Sequence, residues 1–158
     1  MKTFATLLAI ATAALGAGTA LAGSKATVGT ASTSLGTVLV TSDGHTLYML
    51  SGATTSKPLC TTSACTSNWP PLWSAAKPTV SGSAKSSLVN WFKRGGRWQV
   101  TYDGHPLYTF VGDTKAGQVT GEGIKDGSST WTAVSPSGSA TTAKSSKKSS
   151  SSSGGGGW

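Results

Sequence analysis

Short apolar runs rich in β-branched and aromatic residues fill the middle of the chain, and each is cut off by glycine, proline or an Asp-Gly pair. Thr37-Val38-Leu39-Val40-Thr41 leads into Asp43-Gly44, and Thr46-Leu47-Tyr48-Met49-Leu50 leads out. Trp98-Gln99-Val100-Thr101-Tyr102 leads into Asp103-Gly104, and Pro106-Leu107-Tyr108-Thr109-Phe110 leads out. Strand-forming runs on both sides of a dipeptide that tolerates positive φ predict two β-hairpins with two-residue turns. Pro106 has no N–H, so its strand is expected at a sheet edge or at a non-bonded position. Residues 88–92 (LVNWF) and 131–134 (WTAV) predict further short strands, and only residues 84–92 offer a weak helical alternative. The expected fold is all-β or nearly so, a small antiparallel domain.

The hairpins also resemble each other. VTSDGHTLYML at 40–50 and VTYDGHPLYTF at 100–110 agree at seven of eleven positions with a constant offset of 60. The expectation is a domain built from two hairpin-centred repeats, around 36–53 and 97–113. The linking segment holds Cys60 and Cys65, for which one local disulfide is expected in an exported chain. Their four-residue spacing is not that of a thioredoxin-like dithiol, and no second cysteine pair completes a zinc site.

The ends have a different character. Residues 1–22 combine Lys2, an apolar stretch from Leu7 to Leu15 and a closing Ala20-Leu21-Ala22, the pattern of a signal peptide cleaved after Ala22. Gly23, not a cysteine, stands directly after that site, so no lipid attachment is expected. The apolar run, broken by Gly16, Gly18 and Thr19, is too short for a transmembrane segment, and the mature chain is expected to be secreted or extracytoplasmic. Residues 23–34 read as a flexible linker, and 135–158 as a disordered Ser/Lys/Gly-rich tail ending in Trp158. The folded region is then 35–134.

Charge sharpens this division. The 158 residues carry 13 Lys+Arg against 5 Asp+Glu, a formal charge of +8, yet only 11% are charged. More than half of the excess lies in the ends, where it suits a weak, salt-sensitive attraction to anionic surfaces. Few carboxylates and two histidines leave little for acid–base chemistry. No nucleophile elbow, metalloprotease helix, phosphate loop or dinucleotide fingerprint occurs, and Asp113 with Glu122 is a weak carboxylate pair. Catalysis, a cofactor and nucleic-acid binding are not expected.

Three sets of residues remain as candidates. His45 and His105 follow the two turns; packed about a twofold axis they suit Cu or Zn together with Asp113 or Met49, and otherwise they are solvated residues past a turn. Tyr48 and Tyr108 occupy matched strand positions and are expected in or near the core, with the hydroxyls bonded at its rim. Asp113 is expected to hold a glycine-rich turn through backbone N–H groups. Among the tryptophans, Trp69 and Trp73 in the Pro-rich loop suit stacking on sugar rings, which would make the chain a binder of cell-wall polymers.

Tyr108-Thr109-Phe110-Val111-Gly112-Asp113 fits Y-x-[FWY]-x-x-D, and the cysteine pair precedes Trp69-Pro70-Pro71-Leu72. With the glycines after Asp113 and the closing Trp131, these residues make the chain similar to a bacterial family of secreted repeats of unknown function, predicted lipoproteins with that motif. The resemblance implies an extracytoplasmic, duplicated β-rich domain without an assigned reaction. In the first copy, Tyr48-Met49-Leu50-Ser51-Gly52-Ala53 lacks both the aromatic and the aspartate, so any binding role of the motif carboxylate falls to Asp113. The resulting expectation is an exported, envelope-associated, non-catalytic binding domain, whose partner is a wall polymer or another envelope protein.

Overall fold

The computed structural model describes residues 23–141; the expected signal segment and the tail from residue 142 lie outside the described residues. In chain order the elements are β1 (Thr27–Thr33), β2 (Gly36–Val40), β3 (Tyr48–Leu50), α1 (Ser63–Asn68), β4 (Thr79–Val80), β5 (Val89–Arg94), β6 (Arg97–Tyr102), β7 (His105–Pro106), β8 (Lys125–Asp126) and β9 (Ser129–Ala133). They form three small sheets, ordered β2-β1-β4, β3-β9-β8 and β5-β6-β7. All pairings are antiparallel except β1 with β4. Pro106 lies on β7, an edge strand, where its missing N–H costs no ladder bond.

Three expectations are corrected. Residues 23–34 are not a linker: β1 pairs with β2 from Gly29↔Val40 to Thr33↔Gly36, and Ala26 and Val28 enter the core. The composition is polar, but threonine and valine suit a half-buried strand. Residues 135–141 are also ordered, with Thr141 buried and its N–H bonded to the Ala133 carbonyl at 2.8 Å. The helical alternative at 84–92 gives way to β5, which pairs with β6 along all six of its residues, and the helix lies instead at Ser63–Asn68. Thr62 caps that helix by accepting from the Cys65 N–H at 3.2 Å.

The two Asp-Gly turns differ in geometry. Asp103 and Gly104 both have positive φ, 49° and 78°, the two-residue turn expected at both sites. At the first turn only Gly44 does (φ 88°), and Gly44 N–H donates to Thr41 O at 3.0 Å while Thr41 N–H donates to His45 O at 2.9 Å. That is a three-residue loop whose glycine forms a bulge.

Two apolar clusters share one wall. Along β2, Leu39 packs into the first cluster with Val28, Val100 and Leu107, whereas Val38 and Val40 pack into the second with Trp69, Tyr108 and Trp131. Residues 47–50 alternate in the same way, Leu47 and Met49 to one side, Tyr48 and Leu50 to the other. Period-two alternation between two buried faces explains why these runs contain almost no polar residue.

Cys60 and Cys65 are joined in a disulfide. The loop it closes is short, so reduction is expected to lower the unfolding free energy by only about 2 kcal/mol. Urea titration with and without reductant checks this; loss of cooperative unfolding on reduction would show that the bridge holds more than its own loop.

Candidate functional site

The outgoing arms of the two hairpins meet at their tyrosines. Tyr48 N–H donates to Tyr108 O at 2.8 Å, and Tyr108 N–H donates to Tyr48 O at 3.0 Å. Both rings are fully buried. Tyr48 Oη donates to Asp113 Oδ2 at 2.6 Å and accepts from Gly121 N–H at 3.2 Å. Asp113 Oδ1 accepts from Thr120 N–H at 2.9 Å and Thr120 Oγ1 at 2.6 Å. The aspartate therefore holds its loop, as expected, and also reaches across to the tyrosine of the other hairpin. Burial, followed by the bond to Asp113, pushes the Tyr48 hydroxyl far above its ordinary titration range, so it stays a donor.

Tyr108 meets different chemistry. Position 53 is a buried alanine, and Arg94 supplies the partner instead: its Nη1 donates to Tyr108 Oη at 3.2 Å and to Gln99 Oε1 at 2.9 Å, and its Nη2 donates to Cys60 O. The guanidinium thus ties Tyr108 to the disulfide loop. Sequence patterning does not show this role for Arg94.

The histidines are tied down in matching ways. His45 Nδ1 lies 3.0 Å from Asp113 O, and His105 Nδ1 lies 2.9 Å from Ala53 O. Met49 is buried in the first cluster, and the Asp113 carboxylate is occupied by Tyr48 and Thr120. Neither is free to join the two imidazoles around a metal, and among the described residues no group of three or more His, Cys, Asp or Glu is gathered. Asp43 Oδ2 stands 3.6 Å from His45 Nε2, and the hydroxyl of Thr41 bonding Asp43 holds that carboxyl below its usual range. Glu122 accepts from Ala133 N–H at 2.7 Å, and burial pushes its carboxyl up.

The tryptophans divide into core and surface. Trp69 is only 5% exposed and lies between Trp131 (centroids 3.9 Å apart, planes 7°) and Phe110 (4.4 Å, 28°). It is a core residue, so the expected stacking role on a ligand does not fit its position. Trp73 is half-buried, with the Arg97 guanidinium 4.3 Å from the ring centroid. Trp98 is 39% exposed and stacks on Trp91 at 4.7 Å. Trp73, Arg97 and Trp98 together line an open groove of about 610 Å³ with Ser24 and Ala75. It forms because Leu72–Ser74 runs along β6, with Val100 N–H donating to Leu72 O at 2.8 Å and Ser74 N–H to Trp98 O at 3.0 Å.

The signal for this groove was present in the sequence as an asymmetry of charge. Residues 57–102 contain Lys57, Lys77, Lys85, Lys93, Arg94 and Arg97 and no carboxylate. The segment that presents aromatic surface is therefore wholly cationic.

Among the described residues no helix is long and apolar enough to cross a membrane. No curated protein and no solved structure matches the chain. Residues 93–135, which hold β6, the second Asp-Gly turn, Tyr108, Asp113 and Trp131, match the model of the family that the sequence resembles, a secreted repeat of unknown function.

Proposed function

We propose that the chain is an exported, non-catalytic binding domain that holds anionic cell-surface polysaccharide in the groove between Trp73 and Trp98. The observation that carries this reading is the exposed indole of Trp98 facing one groove with Trp73 and Arg97, in a stretch of chain without carboxylates. Flat apolar faces suit sugar rings, and the guanidinium suits a carboxylate or phosphate on the same polymer. The polar hub around Tyr48, Asp113, Arg94 and Tyr108 serves the fold in this reading, since its groups are spent on one another. The match to a secreted family and the disulfide support an extracytoplasmic location.

Affinity electrophoresis tests the proposal, using gels that contain a polyol-phosphate or polyuronate polymer and neutral dextran as control. The native chain is expected to be retarded by the anionic polymer alone. Trp98→Ala or Arg97→Ala is expected to weaken retention about tenfold, an interaction of roughly 1.4 kcal/mol. No retardation by any anionic glycan, retention untouched by both substitutions, or equally strong retardation by single-stranded DNA would each overturn the polysaccharide assignment.

A further inference from the structure

We propose that the first Asp-Gly-His turn, and not the second, is a divalent transition-metal site in which His45 Nε2 and the Asp43 carboxylate hold one ion, with Cu(II) the best fit. A carbonyl oxygen only accepts, so the contact of His45 Nδ1 with Asp113 O at 3.0 Å places a proton on Nδ1. In the neutral ring Nε2 then carries a lone pair, and it faces Asp43 Oδ2 at 3.6 Å. With the proton on Nδ1, Nε2 and the Asp43 carboxylate are two acceptors set side by side, a pair that a shared cation would draw together. A carbonyl fixing the far nitrogen is also the usual means of orienting a ligating imidazole.

The spacing fits one ion. Donors at about 2.0–2.2 Å from a metal and 3.6 Å from each other subtend an angle of roughly 120° at it, within the range that open sites adopt. The backbone of the turn is held from both sides. His45 N–H donates to Thr41 Oγ1 at 3.1 Å, and Gly117 N–H donates to Gly44 O at 3.1 Å, clamping the bulge to the following loop. A side chain at position 44 would collide with Ala116, so the loop closes tightly on the turn. Beside the pair is an open cavity of about 250 Å³, bordered by Thr109 and Phe110, with room for the water ligands that complete the shell. Two protein donors give a modest site, and Cu(II), which leads the divalent series, is the ion expected to fill it measurably.

The second turn has the same three residues and serves as an internal control. His105 Nδ1 is fixed by Ala53 O at 2.9 Å in the same way. Its two-residue geometry turns the Asp103 side chain toward Gly138, and among the described residues no carboxylate lies within 4.0 Å of His105. The difference in turn length, not in sequence, separates the two.

Titration of the full chain with Cu(II) at neutral pH in a non-chelating buffer, read by calorimetry and by electron paramagnetic resonance, tests the assignment. One saturable equivalent with nitrogen coordination is expected in the micromolar range. His45→Ala is expected to weaken it at least tenfold and Asp43→Asn several-fold, while His105→Ala leaves it unchanged. No saturation by 0.1 mM (about the upper edge of that range), full binding retained by His45→Ala, or an equal loss in His105→Ala would overturn the proposal.

Discussion

Asp113→Ala is expected to lower the unfolding free energy by about 3–5 kcal/mol, a large share of the roughly 5–15 kcal/mol that folded domains possess. The carboxylate is 4% exposed and accepts three hydrogen bonds, from Tyr48 Oη, Thr120 N–H and Thr120 Oγ1. Truncation leaves the Tyr48 hydroxyl without its acceptor inside the core, and the Thr120 backbone donor without its partner. Asp113→Asn keeps an acceptor for Thr120 and is expected to cost roughly 1–2 kcal/mol. Tyr48→Phe removes the hydroxyl together with its need for a partner, and a double-mutant cycle with Asp113→Ala is expected to show coupling above about 1 kcal/mol. Urea unfolding of the parent, the three single variants and the double variant measures all of this. An Asp113→Ala protein within about 0.5 kcal/mol of the parent would show that the hydrogen bonds across the hairpins contribute nothing net.

The same pair shows how much of the site was legible. Asp113 stands at the mouth of a glycine-rich loop in the sequence, and its bonds to Thr120 follow from that local setting. Its bond to Tyr48 spans 65 residues and depends on the arms of both hairpins meeting at Tyr48 and Tyr108. No local pattern encodes such a meeting. It is also why Ala53 looks like a loss of function in the sequence but is accommodated in the fold, where Arg94 fills the place beside Tyr108.

Element type was legible wherever alternation had two apolar faces to report, as along Val38–Val40 and Leu47–Leu50. It failed at β1, where only Val28 and Gly29 are fully buried and a low mean hydropathy conceals a threonine-rich strand. The turns were located by Asp-Gly, but their lengths were not, because Ser42 and Tyr102 precede identical Asp-Gly-His runs with different neighbours: the 115–118 loop holds the first bulge, and residues around Gly138 pack on Asp103. Surface chemistry was misplaced for a related reason. Trp69 sits beside two prolines and reads as loop, yet it stacks on a strand residue 62 positions later, whereas Trp98 sits in a strand and is exposed at the strand's end.

Trp131→Ala is expected to be about as damaging as Asp113→Ala, at roughly 3–5 kcal/mol, by a different mechanism. Trp131 is fully buried on β9 opposite Leu50, stacked face to face on Trp69 and edge-on to Tyr108 at 5.0 Å. Removing the indole empties the centre of the second cluster and releases Trp69, so a red shift of the remaining tryptophan emission is expected with the loss of stability. Among the described residues the buried Trp131 Nε1 has no hydrogen-bond partner. Trp131→Phe discards that unpaired donor along with part of the ring, and the two effects offset each other, leaving an expected cost of about 1–2 kcal/mol. Trp98→Ala, at the open groove, is expected to cost under about 1 kcal/mol in stability while reducing polysaccharide retention. The three substitutions therefore separate the tryptophans that hold the fold from those that face a ligand. Equal destabilisation by Trp131→Ala and Trp98→Ala would show that the groove tryptophan is structural, and with it the proposed division between core and binding surface would fail.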